Sequence, residues 1–509
     1  MNGDEDSTLP TGWAPVELGA LLPLNYGKGL TEERRDSSGR VPVYGSSGIV
    51  GYHSAALTRG PALIIGRKGA VGEVHLSREP CWPIDTTYYS EAPAGLNPTY
   101  LAYLLQLLGL GHLDKSTAVP SLRRDDYNAV RAAVAPEPEQ TRIVAEIEKQ
   151  FTRLEAGVAT LQHVKANLKR YRAAVLKAAV EGRLVPTEAE LARRESHSYE
   201  PAGELLQRIL AERRARWEAD QFARLRASGK ERKDANRKAR YKDPACPDTT
   251  NAPVLPDGWT WAAVEQVSRL VQYGSSAKTT EESNGVPVLR MINIMSDGRL
   301  NLKDLKYLPP YHKEFPALLL QTGDLLFNRT NSPGLVGKSA VYNGTPSPCS
   351  FASYLIRVRT MEGCSPTFLA FCLNSAWGRS WIKSVVSQQV GQANVNGSKL
   401  QGFVFPLPPW GEQRRIVAET ERRLSVMDEL EMHVDANLKR AERLRQAILK
   451  RAFEGKLVPH DPNDEPASVL LERIRAERDN RQVSPFLRRR RLTEAIGKIR
   501  GQHAEPNSL

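Results

Sequence analysis

Two short stretches set an arginine at the start of a tight polar loop. Residues 63–74 read Leu-Ile-Ile-Gly-Arg-Lys-Gly-Ala-Val-Gly-Glu-Val, and residues 325–341 read Leu-Leu-Phe-Asn-Arg-Thr-Asn-Ser-Pro-Gly-Leu-Val-Gly-Lys-Ser-Ala-Val. Each is an apolar strand, a polar loop, then Val-Gly and a second strand. The spacing predicts Arg67 and Lys68 at one loop tip and Arg329, Thr330, Asn331 and Ser332 at the other. Arginine can pair with guanine through two donors and asparagine with adenine, so such a tip suits a nucleic-acid groove. An ordinary hairpin whose arginine caps a sheet edge fits the spacing equally well.

Other polar stretches extend the candidate set. Tyr44-Gly-Ser-Ser-Gly-Ile-Val-Gly-Tyr-His53 is glycine-rich but lacks both Gly-Lys-Ser/Thr and the Gly-x-Gly-x-x-Gly spacing, so it is no nucleotide loop. Tight turns with small hydroxyls would let Tyr44, Ser46, Ser47 and Tyr52 approach a sugar-phosphate backbone. The stretch 116–124 offers Ser121, Arg123 and Arg124; the stretch 388–396, dense in amides, offers Gln392, Asn394 and Asn396. Either could equally be a polar loop that turns the chain. Arg290, Asn293 and Lys338 complete the candidates. No catalytic residue is assigned. The chain lacks Asn-Pro-Pro-Tyr and Asp-Pro-Pro-Tyr, a Walker A loop, and any His/Cys grouping with metal-ligand spacing.

The elements that hold these loops are repeated. Leu9-Pro-Thr-Gly-Trp13 returns as Leu255-Pro-Asp-Gly-Trp259, and residues 139–186 align without a gap to 412–459, with about 19 of 48 positions identical. Pro201-Ala-Gly-Glu-Leu-Leu-Gln-Arg-Ile209 is echoed by Pro466-Ala-Ser-Val-Leu-Leu-Glu-Arg-Ile474. Between the repeats, 14–137 and 260–408 differ, though both read as α+β. In 139–180 apolar residues step by three and four from Ile143 to Val175, the pattern of a coiled-coil helix, and the second copy repeats it from Ile416 to Ile448 with departures at Thr420, Glu431 and Asn437, two of them beside Leu430 and Leu438. Proline turns before and Gly182 or Gly455 after mark the ends, predicting helices over 139–182 and 412–455 that pack antiparallel. The domains expected are 1–137, 138–242 (helix and charged helical extension), 243–408 (linker and second insert) and 409–509 (helix and charged extension). The fold class is α+β, internally duplicated.

A net charge of +13 favours an anionic partner, most often nucleic acid. Five cysteines without a Cys-x-x-Cys pair, a polar N-terminus and no apolar run of about 20 residues point to a cytoplasmic chain with no membrane contact.

Taken in order, Tyr44 to Tyr52 with Gly66-Arg-Lys-Gly69, Phe327-Asn-Arg-Thr-Asn-Ser332, Gln392-Ala-Asn-Val-Asn396 and the Glu-Gln-x-x-Ile-Val starts at Glu139 and Glu412 resemble the specificity subunits of type I restriction–modification systems. The resemblance covers nearly the whole chain. It implies two target-recognition domains, each reading half of a bipartite double-stranded DNA site, separated by two antiparallel helices that set the spacer. It implies a non-catalytic subunit without cofactors of its own, serving DNA methylation and host defence against foreign DNA. Two methyltransferase subunits and helicase–nuclease subunits would be the partners, carrying S-adenosylmethionine, ATP and Mg. The long charged segments 187–242 and 460–509 depart from the family pattern. Two other readings remain from the residues alone: the recognition part of a fused nuclease or methylase, and a coiled-coil adaptor with no DNA role.

Overall fold

The computed structural model describes residues 9–479 apart from 37, 116–119, 228–240, 296, 333–334 and 390–391. The chain divides into two units, residues 1–162 with 435–509 and residues 163–434. The division cuts through two 44-residue helices, Glu137–Val180 and Trp410–Phe453, so each unit owns the start of one and the end of the other.

The first unit contains a four-stranded sheet in the order Asn25–Tyr26, Thr87–Glu91, Ala62–Gly66, Val74–Ser77. Beside it lies a three-stranded sheet, Gly48–His53, Val41–Gly45, Trp82–Pro83, whose last pairing is parallel. A two-stranded ribbon, Ala14–Glu17 with Arg131–Val134, closes the insert. The second unit repeats this plan. Its four-stranded sheet runs Ser268–Tyr273, Leu355–Thr360, Leu325–Asn328, Ser339–Val341. Its three-stranded sheet runs Lys306–Leu308, Val286–Leu289, Ser350–Phe351, again with a parallel last pairing. Its ribbon joins Thr260–Ala263 to Val404–Leu407. The second unit adds a small sheet, Thr330–Asn331, Gln392–Asn394, Ser387–Gln389. The two inserts differ in sequence and share a topology.

The repeated motifs are the fastenings of this plan. The Trp13 indole donates to Glu139 Oε1 at 3.1 Å, and the Trp259 indole donates to Glu412 Oε1 at 2.9 Å. Gln140 Oε1 accepts from the backbone N–H of Asn97 at 3.0 Å while its amide donates to Ala135 O at 2.9 Å. Gln413 does the same with the N–H of Ser365 (2.8 Å) and Pro408 O (2.9 Å). Asn97 and Ser365 are the N-caps of Pro98–Leu108 and Pro366–Asn374, so each glutamine fixes the start of a helix buried in its insert. All four Glu and Gln side chains are buried, where an unmade polar bond is costly.

The two long helices meet antiparallel within each unit. In the first, Glu139 contacts His460 while Glu155 reaches Arg445, whose guanidinium lies 4.1 Å above the Phe151 ring. In the second, Arg172 pairs with Asp428 while the N–H of Glu188 donates to Glu412. Ile143, Ile147 and Phe151 share a core with Ile448, Leu449 and Ala452; Ala179 and Val180 share one with Ile416.

The charged extensions are structural at their starts. Ala202, Leu205 and Ile209 enter the core of the second unit, and the N–H of Ala202 donates to Gly258 O at 2.8 Å. Ala467, Leu470 and Ile474 enter the core of the first unit, and the N–H of Ala467 donates to Gly12 O at 2.8 Å. Gly12 and Gly258 hold φ of +80° and +84°, the left-handed turn that places each tryptophan. The sequence echo between 201–209 and 466–474 is therefore a repeated docking edge.

Candidate nucleic-acid interface

Each four-stranded sheet ends in the same stack. In the first unit Ala62–Gly66 delivers Arg67, whose backbone N–H donates to Thr86 O (2.9 Å) and whose carbonyl accepts from Leu122 (3.0 Å). In the second, Leu325–Asn328 delivers Arg329, whose N–H donates to Tyr354 O (3.0 Å) and whose carbonyl accepts from Val395 (2.9 Å). The first strand of each sheet ends in a tyrosine, Tyr26 and Tyr273, exposed by 56% and 44%. The Arg67 guanidinium sits 5.6 Å from the Tyr26 ring, and that of Arg329 sits 4.9 Å from the Tyr273 ring. Neither arginine stands free at a tip as the spacing suggested; each lies on a tyrosine.

The surroundings then diverge. In the first unit Arg124 lies 4.5 Å from the Tyr26 ring, and Tyr88 extends the stack. Burial, reinforced by Tyr26, pushes the Tyr88 hydroxyl up to about 12 against the pull of Arg67 and Arg124, so it stays neutral and donates to Leu122 O. Arg67 donates through Nε and Nη2 to Asp85 O, at 3.1 and 2.6 Å, using two of its five N–H donors. Lys68, exposed, bridges to Ser121. Ser46 and Ser47 form the turn between Val41–Gly45 and Gly48–His53, and a Cβ on Gly69 would lie 3.3 Å from the Ser46 hydroxyl, so this turn abuts the Arg67 loop. Tyr52 is 48% exposed on the same hairpin, beside Ile49 and Val50. Arg123 is exposed at the start of the short helix Arg124–Asn128.

In the second unit Thr330 and Asn331 pair with Asn394 and Ala393, which carries Asn394 beside the residue that follows the arginine, with Gln392 on the same strand. Asn394 Oδ1 and Arg329 Nε are buried without a hydrogen-bond partner among the described residues. The Tyr273 hydroxyl accepts from the N–H of Gly397 at 2.7 Å, tying the amide-rich stretch to the stack. Ser332 is exposed beside it.

Several candidates belong to the scaffold instead. Tyr44 is buried in the sheet centre. Asn293 is buried, with Oδ1 accepting from the N–H of Arg290 (2.8 Å) and its amide donating to Asn301 O (2.8 Å); its polar groups are spent on a turn. Arg290 donates to Asp304 O in the same turn. Thr330 is buried beneath its neighbours. Asn396 caps the helix Gly397–Gln401, accepting from the N–H of Lys399 at 2.8 Å. Lys338 is half-buried, and burial together with the Arg379 guanidinium holds its ammonium below the usual lysine range.

Tyr26, Tyr88 and Tyr273 are the residues that sequence reasoning missed. The signal was present in the alignment of the halves: Asn25-Tyr-Gly27 and Gln272-Tyr-Gly274 hold equivalent places. Among the described residues no cluster of His, Cys, Asp or Glu could hold a metal, and no helix is long and apolar enough to cross a membrane.

Comparison with known proteins bears on this arrangement. No family model matches the chain. The chain is 30% identical over 229 residues to the type I restriction enzyme EcoKI specificity subunit of Escherichia coli K12, covering 42% of this chain and 48% of that protein, about half its length. It is 24% identical over 495 residues to the EcoDI specificity subunit of Escherichia coli, covering 92% and 96%. A chain solved in a study of assembly and conformational transition of the type I R-M system superposes with a TM-score of 0.59 at 17% identity, covering 88% of this chain and 99% of that one, which shows a shared fold. In sequence over nearly its whole length, and in its duplicated fold, the chain is similar to the specificity subunits of type I restriction enzymes.

Proposed function

We propose that this chain is the DNA-reading subunit of a type I restriction–modification complex, without catalysis of its own. Each insert reads one half of a bipartite site in duplex DNA. The observation that carries this reading is the arginine-on-tyrosine stack, repeated at one position of two equivalent sheets and flanked by different polar side chains. A planar cation held on an exposed ring is pre-organised for a groove, and the unlike neighbours would give the halves unlike preferences. The net charge of +13 supplies sequence-independent attraction. The 44-residue helices, each on the order of 66 Å long at ~1.5 Å per residue, set the spacer and dock two methyltransferase subunits. S-adenosylmethionine, ATP and Mg would reside on those and on helicase–nuclease partners.

Mapping methylated motifs in cells that express the chain with its methyltransferase tests this. Arg67→Ala should relax one half of the motif and Arg329→Ala the other, each loss corresponding to roughly 1–3 kcal/mol at a base contact. If either substitution altered both halves, or if neither changed motif or binding, independent reading through these stacks would be wrong.

A further inference from the structure

A second basic site lies in the second unit, away from the arginine–tyrosine stack. A half-open cavity of about 740 Å³ is bounded by Arg213, Arg216 and Trp217 of the helix Ala202–Ala227, by Tyr241 and Lys242 after it, and by Arg269 and Arg359 of the four-stranded sheet. Asp220 is the one carboxylate among its described lining residues.

Charge compensation there is incomplete. Arg216 is paired with Glu212, and Arg359 with Asp324. Among the described residues Arg213 has only neutral partners, the Tyr241 hydroxyl at 2.8 Å and Ser268 O at 3.3 Å. The side chains of Lys242 and Arg269 have no hydrogen-bond or ion-pair partner among the described residues. Burial, with Arg359 and Arg216 close by, holds Arg269 below the usual arginine range against the weaker opposing pull of Asp324. Arg269 also sits where the register of Ser268–Tyr273 against its neighbour slips, a β-bulge that takes the residue out of the ladder. The Trp217 and Tyr241 rings, 5.3 Å apart, stiffen the wall. Like charges gathered by a bulge, a helix and a tethered segment repel one another unless an anion joins them.

We propose that this cavity binds phosphodiester groups of duplex DNA outside the half-site that the second insert reads. The inference rests on the DNA-reading function proposed above. Arg269 and Tyr273 lie four residues apart on one strand, about 13 Å at ~3.3 Å per residue, a reach of about four base pairs at ~3.4 Å each. The extension 187–242 thereby has a second role beyond packing: it supplies Arg213 and Lys242 to a contact that grips flanking DNA without reading its sequence.

The test compares the full chain with Arg213→Ala/Lys242→Ala/Arg269→Ala on a mixed-sequence duplex and on a duplex carrying the methylated motif, titrated across salt. The triple variant should bind both duplexes about tenfold more weakly or worse, and lower the slope of log K against log salt by roughly 3, one for each lost phosphate contact. Its methylated motif should be unchanged. Lys242→Glu, at an exposed side chain that holds no structural bond, should give a smaller loss of the same kind and guards against misfolding of the triple variant. Wild-type affinity and slope in both variants would overturn the proposal while leaving the DNA-reading function intact; failure of the wild-type chain to bind duplex at all would remove both. Thermal stabilisation of the wild type but not the triple variant by ATP or pyrophosphate, with duplex binding unaltered, would reassign the cavity to free nucleotides and overturn the proposal equally.

Discussion

Glu412 makes the stability of the second unit depend on pH in the direction opposite to most carboxylates. Its carboxylate is fully buried, accepting from the Trp259 indole and from the N–H of Glu188, both at 2.9 Å. Burial pushes its carboxyl up to about 7 from 4.5; the two hydrogen bonds and Arg415 oppose this, and the Glu188 carboxylate adds to it. The native state therefore holds a proton that the unfolded chain has released between those two values. Stability contributed by the protonated form is present below about pH 4.5 and declines as pH rises toward about 7. A difference of about 2.5 units at ~1.36 kcal/mol each is on the order of 3 kcal/mol. Glu412→Gln cannot ionise and keeps an oxygen for Trp259. Denaturant unfolding followed by tryptophan fluorescence at pH 5, 6, 7 and 8 should show the stability of wild type relative to Glu412→Gln falling by about 3 kcal/mol across that range and levelling above it. A constant difference would refute the argument, because it would mean that the buried carboxyl does not change protonation between the folded and unfolded states.

Two further outcomes follow from the same fold. Gly182→Ala should destabilise by about 1–3 kcal/mol in denaturant melts, since Gly182 holds φ +67° and a Cβ there would come within 2.6 Å of Pro256 Cγ. Asp324→Asn should cost about 3–5 kcal/mol by the same assay, because the buried Asp324 carboxylate takes two bonds from Arg359 (2.6 and 2.7 Å) and one from Arg357 (3.4 Å), and both cations would lose their counter-charge.

The long helices were legible because a coiled-coil stripe is a local pattern repeated many times. Their observed ends at Glu137–Val180 and Trp410–Phe453 lie two residues before the expected 139–182 and 412–455. The reason is chemical: Gly182 and Gly455 lie beyond the last helical turn, and the N–H groups of Arg183 and Lys456 reach back five residues to Ala178 O and Arg451 O. The buried strand at Ala62–Gly66 was legible from its apolar run. The stacks were not. Tyr26 and Tyr273 are single aromatics before a glycine, and their partners Arg67 and Arg329 lie 41 and 56 residues onward, reached only through sheet pairing. Asn293 looked like a groove contact for the same reason in reverse: its partners Asn301 and Asp304 lie 8 and 11 residues away, outside any local pattern.

The repeat also explains where difference is tolerated. The Trp–Glu and Glu-Gln fastenings lie at the base of each insert, tied to the helix that follows, and their geometry is nearly the same in both halves. The four-stranded sheets above them keep one strand order, and they deliver Arg67 and Arg329 with the same two backbone bonds. Divergence begins one residue later. In the first unit Lys68 meets Ser121 through an isolated bridge; in the second, Thr330 and Asn331 join a three-stranded sheet with 392–394 and 387–389. A fixed arginine followed by variable edge chemistry is what a reader of two unlike half-sites requires under the proposed function. The arginine's position is set by backbone bonds that do not depend on its neighbours, so the side chains around it can change without moving it. Under that proposal the platform would fix where a groove is met, and the residues beside it would decide what is read.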